Sequence, residues 1–279
     1  MKILIIGAGI MGSGIAQIAA QAGYDVYLRD IDMKFVEKGL AGIDKAYAKL
    51  VEKGKIQAGD KDAALKRITG CVDLAVGKDA DVVIEAAVEN LEIKKKIFAE
   101  LDAAIQPKAV FASNTSSLSI TAVAAATKRP DQIIGMHFFN PVPVMALVEV
   151  IRGQSSSDST HATITELARS LGKTPITVHE APGFAVNRIL VPMINEAAFL
   201  LSEGVASAED IDTAMKLGAN HPMGPLALGD LVGLDVCLAI MDILHAEFGD
   251  SKYRPAPVMR KLVRAGHLGR KTGQGFFKY

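Results

Sequence analysis

The sequence lacks tryptophan altogether and has few cysteines and few aromatic residues. Of its 279 residues only Cys71 and Cys237 are cysteines, and aromatic side chains make up 5%. Two cysteines cannot form a disulfide framework or a zinc site built from cysteine, and such a chain is typical of a reducing compartment. The scarcity of aromatic rings disfavours a stacking surface for single-stranded nucleic acid. We therefore expect a cytoplasmic protein that holds no metal ion.

The sequence also lacks an excess of charge of either sign. Its 31 basic side chains are balanced by 31 acidic ones, so the formal net charge is zero. This balance excludes a protein that binds nucleic acid mainly by bulk positive charge, and it provides no general attraction to acidic membranes. With 49% hydrophobic and 22% charged residues, the composition is that of a globular chain. We predict no nucleic-acid partner and no membrane partner.

One uncharged stretch, residues 3–24, is long enough to span a bilayer. Lys2 ahead of it would also suit the start of a secretion signal. However, five glycines and two glutamines interrupt the stretch, and its only dense apolar run is Ile3–Ile6. A membrane helix and the core of a signal peptide both need a longer continuous apolar block, so we favour a folded segment.

Short apolar runs alternate with helical patterns over roughly the first 180 residues. This alternation is typical of βαβ units and predicts an α/β fold with a mostly parallel sheet covered by helices. Beyond the breaker at residues 181–183 only helical patterns follow. We therefore predict two domains, residues 1–183 and 184–279, of which the second is entirely helical. The predicted strands are Ile3–Ile6, Tyr24–Leu28, Val82–Ile84, Val110–Ala112, Ile133–Met136 and Leu147–Ile151.

Residues 7–12 read G-x-G-x-x-G directly after the first apolar run, and a helical segment, Ile15–Ala22, follows them. In this context Gly7 permits a tight turn, Gly9 lets the backbone approach a pyrophosphate, and Gly12 allows close packing of helix on strand. We predict a Rossmann-like dinucleotide site here, and a tight turn without a ligand is the alternative. The predicted cofactor-binding residues of this turn are Gly7, Gly9, Ile10, Met11 and Gly12.

Asp30 ends the second predicted strand, 18 residues after Gly12. In dinucleotide-binding folds an acidic residue at this place accepts hydrogen bonds from the ribose hydroxyls of the adenosine. A carboxylate there repels the 2′-phosphate of NADP, so we predict NAD as the cofactor and NADP as a weaker alternative. The neighbouring Arg29 would soften this preference if its side chain turned to the same side.

His137 stands out among the six histidines because it follows a predicted strand and precedes a turn braced by Pro141 and Pro143. Ligands of open α/β sheets bind at the carboxyl ends of the strands, so an imidazole there is well placed for proton transfer. Glu149 lies inside the next predicted strand, where a carboxylate is costly unless it is paired. We predict that His137 is a general base oriented by Glu149. A purely structural buried pair is the alternative.

A hydroxyl-rich segment, residues 113–117, follows the predicted strand Val110–Ala112. Its side chains are placed to bond a substrate oxygen, and an N-cap for the next helix is an equal alternative on local grounds. Asn187 lies just past the breaker that precedes the second domain. Because clefts between domains are favoured ligand sites, we predict that Asn187 takes part in binding.

Seven segments, spread from residue 7 to residue 277, match the motifs of one family. On these motifs the whole chain resembles the 3-hydroxyacyl-CoA dehydrogenases, in particular the bacterial, clostridial-type members that act on 3-hydroxybutyryl-CoA. The resemblance implies reversible NAD(H)-dependent oxidation of (S)-3-hydroxybutyryl-CoA to acetoacetyl-CoA, in fatty-acid and butyrate metabolism, by a homodimer formed through the helical domain. The segments are GAGIMGSGIA (7–16), VIEAAVEN (83–90), FASNTSSLSI (111–120), HFFNPVPVMALVEVIRG (137–153), APGFAVNRIL (181–190), ANHPMGP (219–225) and GRKTGQGFF (269–277).

The resemblance also implies roles for single residues. His137 matches the family's base, and Glu149 matches the carboxylate that orients it. Ser116 matches the contact to the substrate hydroxyl, and Asn187 matches an asparagine near the reacting carbonyl. The other predicted contacts are Asp30, Glu89, Lys94 and Asn114 for the cofactor and Asn140 for the substrate.

A further implication of the resemblance is a helical hairpin, about residues 33–67, that covers the CoA. Residues 34–67 hold nine basic and five acidic side chains, a local charge of +4 in a chain that is neutral overall. Lys45, Lys49 and Lys53 are spaced by four residues and therefore share one helix face. We predict that Lys49 and Lys53 bind CoA phosphates. A solvated lysine face without a ligand is an equal alternative.

Two other classes of protein fit parts of the sequence. A non-enzymatic NAD-binding protein would share the fold, but the combination of His137, Glu149, Ser116 and Asn187 favours an enzyme. A short-chain reductase would need the pattern Tyr-x-x-x-Lys, and none of the five tyrosines has a lysine four residues on. We therefore favour the dehydrogenase.

Overall fold

The computed structural model describes residues 1–279, which divide into two compact units, Met1–Glu180 and Ala181–Tyr279. This boundary lies three residues before the predicted one. The first unit combines strands with helices, and the second contains helices joined by short connections. The prediction of an α/β, Rossmann-like part followed by an all-helical part is confirmed.

The first unit contains a single sheet of eight strands. They are β1 (Lys2–Ile6), β2 (Asp25–Arg29), β3 (Ile68–Cys71), β4 (Val82–Glu85), β5 (Val110–Ser113), β6 (Ile133–Phe138), β7 (Leu147–Arg152) and β8 (Thr174–His179). Their spatial order is β3-β2-β1-β4-β5-β6-β7-β8, and only β6 and β7 pair antiparallel. The predicted strands missed β3 and β8. Both lie at edges of the sheet and are only partly buried, so neither forms a continuous apolar run.

Six helices complete the first unit. Helix α1 starts at Ile10, inside the glycine motif, and not at the predicted Ile15. Gly12 and Gly14 lie in its first turns, and because glycine has a low helix propensity, the sequence pattern there does not indicate a helix. The predicted hairpin is present as α2 and α3. The helices are α1 (Ile10–Gln21), α2 (Met33–Glu52), α3 (Ala58–Lys66), α4 (Leu91–Ala104), α5 (Ile120–Ala124) and α6 (Asp158–Ser170).

The hairpin is fastened to the sheet layer through one face of α2. Val36, Ile43 and Tyr47 are buried on this face at spacings of seven and four residues, as an amphipathic helix requires. The hydroxyl of Tyr47 donates to the carbonyl of Gln17 in α1 at 2.5 Å, and burial raises the pKa of Tyr47 to about 12. The two helices are thus joined by an apolar contact and by one buried hydrogen bond.

The second unit contains five helices: α7 (Val186–Ser202), α8 (Ala208–Gly218), α9 (Pro225–Val232), α10 (Leu234–Phe248) and α11 (Pro257–Arg264). Ile189, in the first turn of α7, is 74% exposed. The buried side of α7 instead carries Val191, Ile194 and Ala198, which pack on α9, α10 and α11.

Two buried aspartates fasten connections within the second unit. Asp212 accepts hydrogen bonds from the N–H groups of Leu226 and Ala227 at 2.8 and 2.9 Å, so it caps the first turn of α9 from another helix. Asp230 accepts from the N–H groups of Phe276 and Phe277, both at 2.9 Å. Across both units, none of the helices combines the length and the apolar composition needed to cross a bilayer.

Candidate active site

The turn between β1 and α1 has the geometry of a phosphate cradle. Gly7 adopts φ +104°, and a Cβ on it would lie 2.6 Å from the carbonyl oxygen of Ala86. A Cβ on Gly12 would lie 1.8 Å from the carbonyl oxygen of Gly7, so both positions require glycine. A Cβ on Gly9 would meet no atom within 4 Å, and no side chain caps the start of α1. The open space before a helix N-terminus fits the pyrophosphate of a dinucleotide.

Asp30 follows directly on β2, which ends one residue before it. Its carboxylate accepts a hydrogen bond from the N–H of Ala8 in the glycine turn at 2.7 Å, and another from the N–H of Ile31. The guanidinium of Arg29 donates to the carbonyl of Val72 at 2.9 Å, next to the end of β3. The carboxylate predicted to hold the ribose is therefore fixed to the glycine turn, and Arg29 is engaged elsewhere.

His137 and Glu149 are opposite each other in the antiparallel pairing of β6 and β7. Nδ1 of His137 lies 2.7 Å from a carboxylate oxygen of Glu149, and the two residues are 6% and 0% exposed. The ring of Phe139 lies against the imidazole, with 4.5 Å between ring centroids. Strand β6 extends two residues beyond its predicted end, so His137 belongs to the strand. Its orientation is therefore fixed by the sheet and by the carboxylate.

A second buried acid–base pair lies near the end of β4. Glu85 is fully buried, and its carboxylate accepts hydrogen bonds from Nζ of Lys94 at 2.6 Å, from the hydroxyl of Ser113 at 2.6 Å and from the N–H of Ala87 at 2.7 Å. Lys94 itself is 1% exposed. Glu85 is not among the predicted site residues. The signal that identified Glu149, a carboxylate inside an apolar strand, was present at Glu85 as well.

Glu89 links this pair to the hydroxyl-rich segment after β5. One carboxylate oxygen accepts from the Thr115 hydroxyl at 2.7 Å and from the Ser116 N–H and hydroxyl at 2.9 and 3.0 Å. The other oxygen lies 3.5 Å from Nζ of Lys94. Burial raises the pKa of Glu89, but the Lys94 ammonium and these hydrogen bonds outweigh burial and hold the pKa below its usual value. Residues predicted for the cofactor and for the substrate thus form one network.

Asn114 connects β5 with β6. Its side-chain oxygen accepts a hydrogen bond from the N–H of Phe138 at 2.8 Å, next to His137. The N-cap of α5 is Ser119, so residues 113–117 do not cap that helix. Because β4, β5 and β6 are parallel neighbours, their carboxyl ends bring Glu85, Asn114 and His137 to one edge of the sheet.

The remaining predicted residues belong to other elements of the fold. Ile10 is 78% exposed at the start of α1, and Met11 is partly buried. Asn140 is exposed and lines a cleft of about 220 Å³ together with α1 and α2. Lys49 and Lys53 are exposed at the end of α2. Asn187 belongs to the first turn of α7, in the second unit.

Models of one family match almost the whole chain. The NAD-binding domain of 3-hydroxyacyl-CoA dehydrogenase matches residues 2–181, and the C-terminal domain of the same family matches residues 183–279. The chain belongs to the 3-hydroxyacyl-CoA dehydrogenase family. The predicted family and the predicted dehydrogenase activity are therefore confirmed, and the first domain is of the kind that binds an NAD-type cofactor.

Full-length relatives within this family share about half of their residues with the chain. A 3-hydroxybutyryl-CoA dehydrogenase of Clostridioides difficile is 55% identical over 279 residues, which cover 100% of this chain and 99% of the relative. A probable 3-hydroxybutyryl-CoA dehydrogenase of Deinococcus radiodurans is 54% identical and is covered completely, as is this chain. Among solved structures, an (S)-3-hydroxybutyryl-CoA dehydrogenase from Ralstonia eutropha superimposes with a TM-score of 0.97. Its sequence is 54% identical, and the match covers 100% of this chain and 98% of that chain.

Proposed function

We propose that the chain catalyses the reversible NAD(H)-dependent oxidation of (S)-3-hydroxybutyryl-CoA to acetoacetyl-CoA. The observation that carries this proposal is the buried contact of 2.7 Å between His137 and Glu149, at the sheet edge where the strands end. The 3-hydroxybutyryl-CoA dehydrogenases that share 52–55% of their residues with this chain support the choice of a C4 substrate.

In the proposed mechanism the imidazole moves the proton. Because Nδ1 of His137 bonds the carboxylate of Glu149, that nitrogen carries a proton, and Nε2 exchanges protons with the substrate. During oxidation Nε2 takes the proton of the C3 hydroxyl, the C3–H bond breaks, and the carbonyl forms. During reduction the imidazolium returns the proton to the developing alkoxide. Glu149 stabilises the imidazolium and keeps the ring in one tautomer.

The nicotinamide cofactor, when bound, accepts or supplies the hydride at C3. We assign its pyrophosphate to Gly7, Gly9 and Gly12, together with the backbone at Ile10 and Met11. Asp30 would hold the ribose of NAD and repel the 2′-phosphate of NADP, and Glu89, Lys94 and Asn114 would line the nicotinamide side. Because the guanidinium of Arg29 donates to the carbonyl of Val72, we do not assign Arg29 a contact with the 2′-phosphate of NADP.

The substrate contacts follow the same proposal. Ser116 would bond the C3 oxygen, and Asn187 would lie near the reacting carbonyl. Asn140 would contact the substrate, and Lys49 and Lys53 would meet the CoA phosphates. We further propose a homodimer formed through the helical unit, where Ile189 and Leu217 are 74% and 82% exposed. Both cysteines are free and buried, which suits a reducing compartment, and we propose the cytoplasm.

A steady-state assay tests the proposal as a whole. Acetoacetyl-CoA and its C6 and C8 homologues are reduced with NADH and with NADPH, and cofactor oxidation is followed by absorbance. We expect the highest kcat/KM with the C4 substrate and NADH. A chain that binds NADH but reduces none of the three substrates would be a non-enzymatic member of the fold. Equal or reversed kcat/KM for the two cofactors would contradict the role of Asp30.

A further inference from the structure

Lys173 is a buried lysine that the proposed mechanism does not use. It lies directly before β8 and is 8% exposed. Its Nζ donates to the carbonyls of Val142 and Met145 at 2.5 and 2.8 Å. Burial lowers the pKa of Lys173, and no carboxylate forms an ion pair with it. A buried ammonium is costly, and its two hydrogen bonds both end on one short segment of backbone.

That segment is the turn between β6 and β7, residues 139–146, called here the β6–β7 turn. Of its residues only Val142 is fully buried, and it packs so closely on α1 that a Cβ on Gly14 would lie 2.9 Å from it. Val144 is 74% exposed, and Met145 is 40% exposed. The turn therefore has little apolar packing of its own beyond Val142, and Lys173 supplies two of its polar attachments.

The β6–β7 turn forms one wall of the cleft of about 220 Å³. The opposite walls are α1, with Ser13 and Gln17, and α2, with Ile43. Asn140 lies in the wall that the turn provides, only three residues after His137. A displacement of the turn would change the shape of this cleft, while the pairing of His137 with Glu149 would remain fixed by the strands.

We propose that Lys173 is a positioning residue for the acyl-CoA: it clamps the β6–β7 turn through two backbone carbonyls and so sets the wall of the cleft that receives the substrate. This inference rests on the proposed function for the identity of the ligand. It assigns to Lys173 an effect on substrate binding that is separate from proton transfer and from the cofactor.

The test replaces the ammonium by an apolar side chain of similar length, in K173M. We expect the KM for acetoacetyl-CoA to rise at least fivefold, while the KM for NADH and kcat stay within about twofold. Hydrogen exchange measured on peptides that cover residues 139–147 is expected to be about tenfold faster in K173M. Lys96→Met, at an exposed lysine on α4, is the matched control and should change none of these values.

Three results for a folded K173M would overturn the inference. They are an unchanged KM for acetoacetyl-CoA, an unchanged exchange rate in the turn, and an equal rise in the KM for NADH. If K173M does not fold, K173Q takes its place, because its amide keeps two N–H donors on a shorter side chain. Failure of both variants to fold would also reject the positioning role. A wild-type chain inactive on acetoacetyl-CoA would reject the proposed function alone, because the exchange measurement does not depend on activity.

Discussion

The sheet edge contains two buried acid–base pairs that resemble each other in geometry and differ in chemistry. Glu85 with Lys94 and Glu149 with His137 are joined at 2.6 and 2.7 Å, and no member is more than 6% exposed. The carboxylate of Glu85 also accepts hydrogen bonds from the Ser113 hydroxyl and the Ala87 N–H, so that pair fits a structural role. The imidazole of His137 has a second ring nitrogen, Nε2, which does not take part in the contact with Glu149 through Nδ1. Similar burial thus accompanies a structural scaffold at Glu85 and Lys94 and the proton exchanger that we propose at His137 and Glu149.

The largest expected effect is that of removing the exchanger. In His137→Gln we expect kcat to fall by roughly 10² to 10⁴, the usual contribution of general acid–base catalysis, because the amide cannot accept the hydroxyl proton. NADH affinity, measured by fluorescence titration, should be unchanged. His161→Gln, at a surface histidine bonded to Thr177, is the control. A His137 variant that keeps most of its kcat would show that the two pairs do not differ in role.

The next effect concerns the carboxylate of the same pair. In Glu149→Gln the side-chain amide can donate a hydrogen bond to Nδ1 of His137. This favours the tautomer that carries its proton on Nε2, and Nε2 then cannot accept the proton of the substrate hydroxyl. We expect kcat to fall by at least about 10²-fold and at most about 10⁴-fold, the loss seen when the orienting carboxylate of a Ser-His-Asp triad is replaced by its amide. Steady-state kinetics and the KM for NADH provide the measurement. A loss smaller than threefold would mean that strand pairing alone orients the imidazole.

The scaffold pair should respond in stability more than in rate. Glu85→Gln keeps the shape of the side chain but leaves the Lys94 ammonium with Glu89 at 3.5 Å as its remaining carboxylate. We expect the free energy of unfolding to fall by about 2 kcal/mol, less than the roughly 3–5 kcal/mol of breaking a buried pair, because Glu89 still pairs with the ammonium. Denaturant titration measures this loss, and Glu85→Gln combined with Lys94→Met should recover part of it. A kcat loss as large as that of Glu149→Gln would place Glu85 in the chemistry.

The smallest effect on the kinetics is expected from replacing an exposed lysine. Lys53 is exposed at the end of α2, and solvent-exposed ion pairs contribute at most about 1 kcal/mol. Lys53→Glu should therefore raise the KM for acetoacetyl-CoA by about fivefold and leave the KM for NADH unchanged. Lys216→Glu, on an exposed surface of α8, is the control. An unchanged KM in Lys53→Glu would identify the lysine face as solvated surface without a ligand.

Most of this edge of the sheet was predictable because its residues follow short apolar runs. The glycine turn, Asp30 and the strand carrying His137 could all be located from such runs, and the pairing of His137 with Glu149 followed from the cost of a lone buried carboxylate. The contacts of Glu89 were not predictable, because they join a loop after β4 to a loop after β5. Lys173 was equally hidden, since its two acceptors are backbone carbonyls, which leave no pattern in a sequence.

The helical unit shows a limit of helical spacing as a guide to burial. Ile189 and Ala197 share a helical spacing on α7, but Ile189 is 74% exposed and Ala197 is buried. Spacing identifies a stripe of apolar residues on a helix and does not say which part of a broad stripe is covered. On a helix as apolar as α7, several stripes satisfy the same spacing.

The antiparallel pairing of β6 with β7 limits how the chain can change in length. Successive strand residues point to opposite faces, so one residue inserted between Leu147 and Glu149 would turn the carboxylate away from His137 and bring an apolar side chain opposite it. An insertion at the exposed tip of the turn, near Val144, would leave the strand pairing as it is. Relatives that keep this chemistry should therefore vary in length at the tip of the turn and not within the two strands.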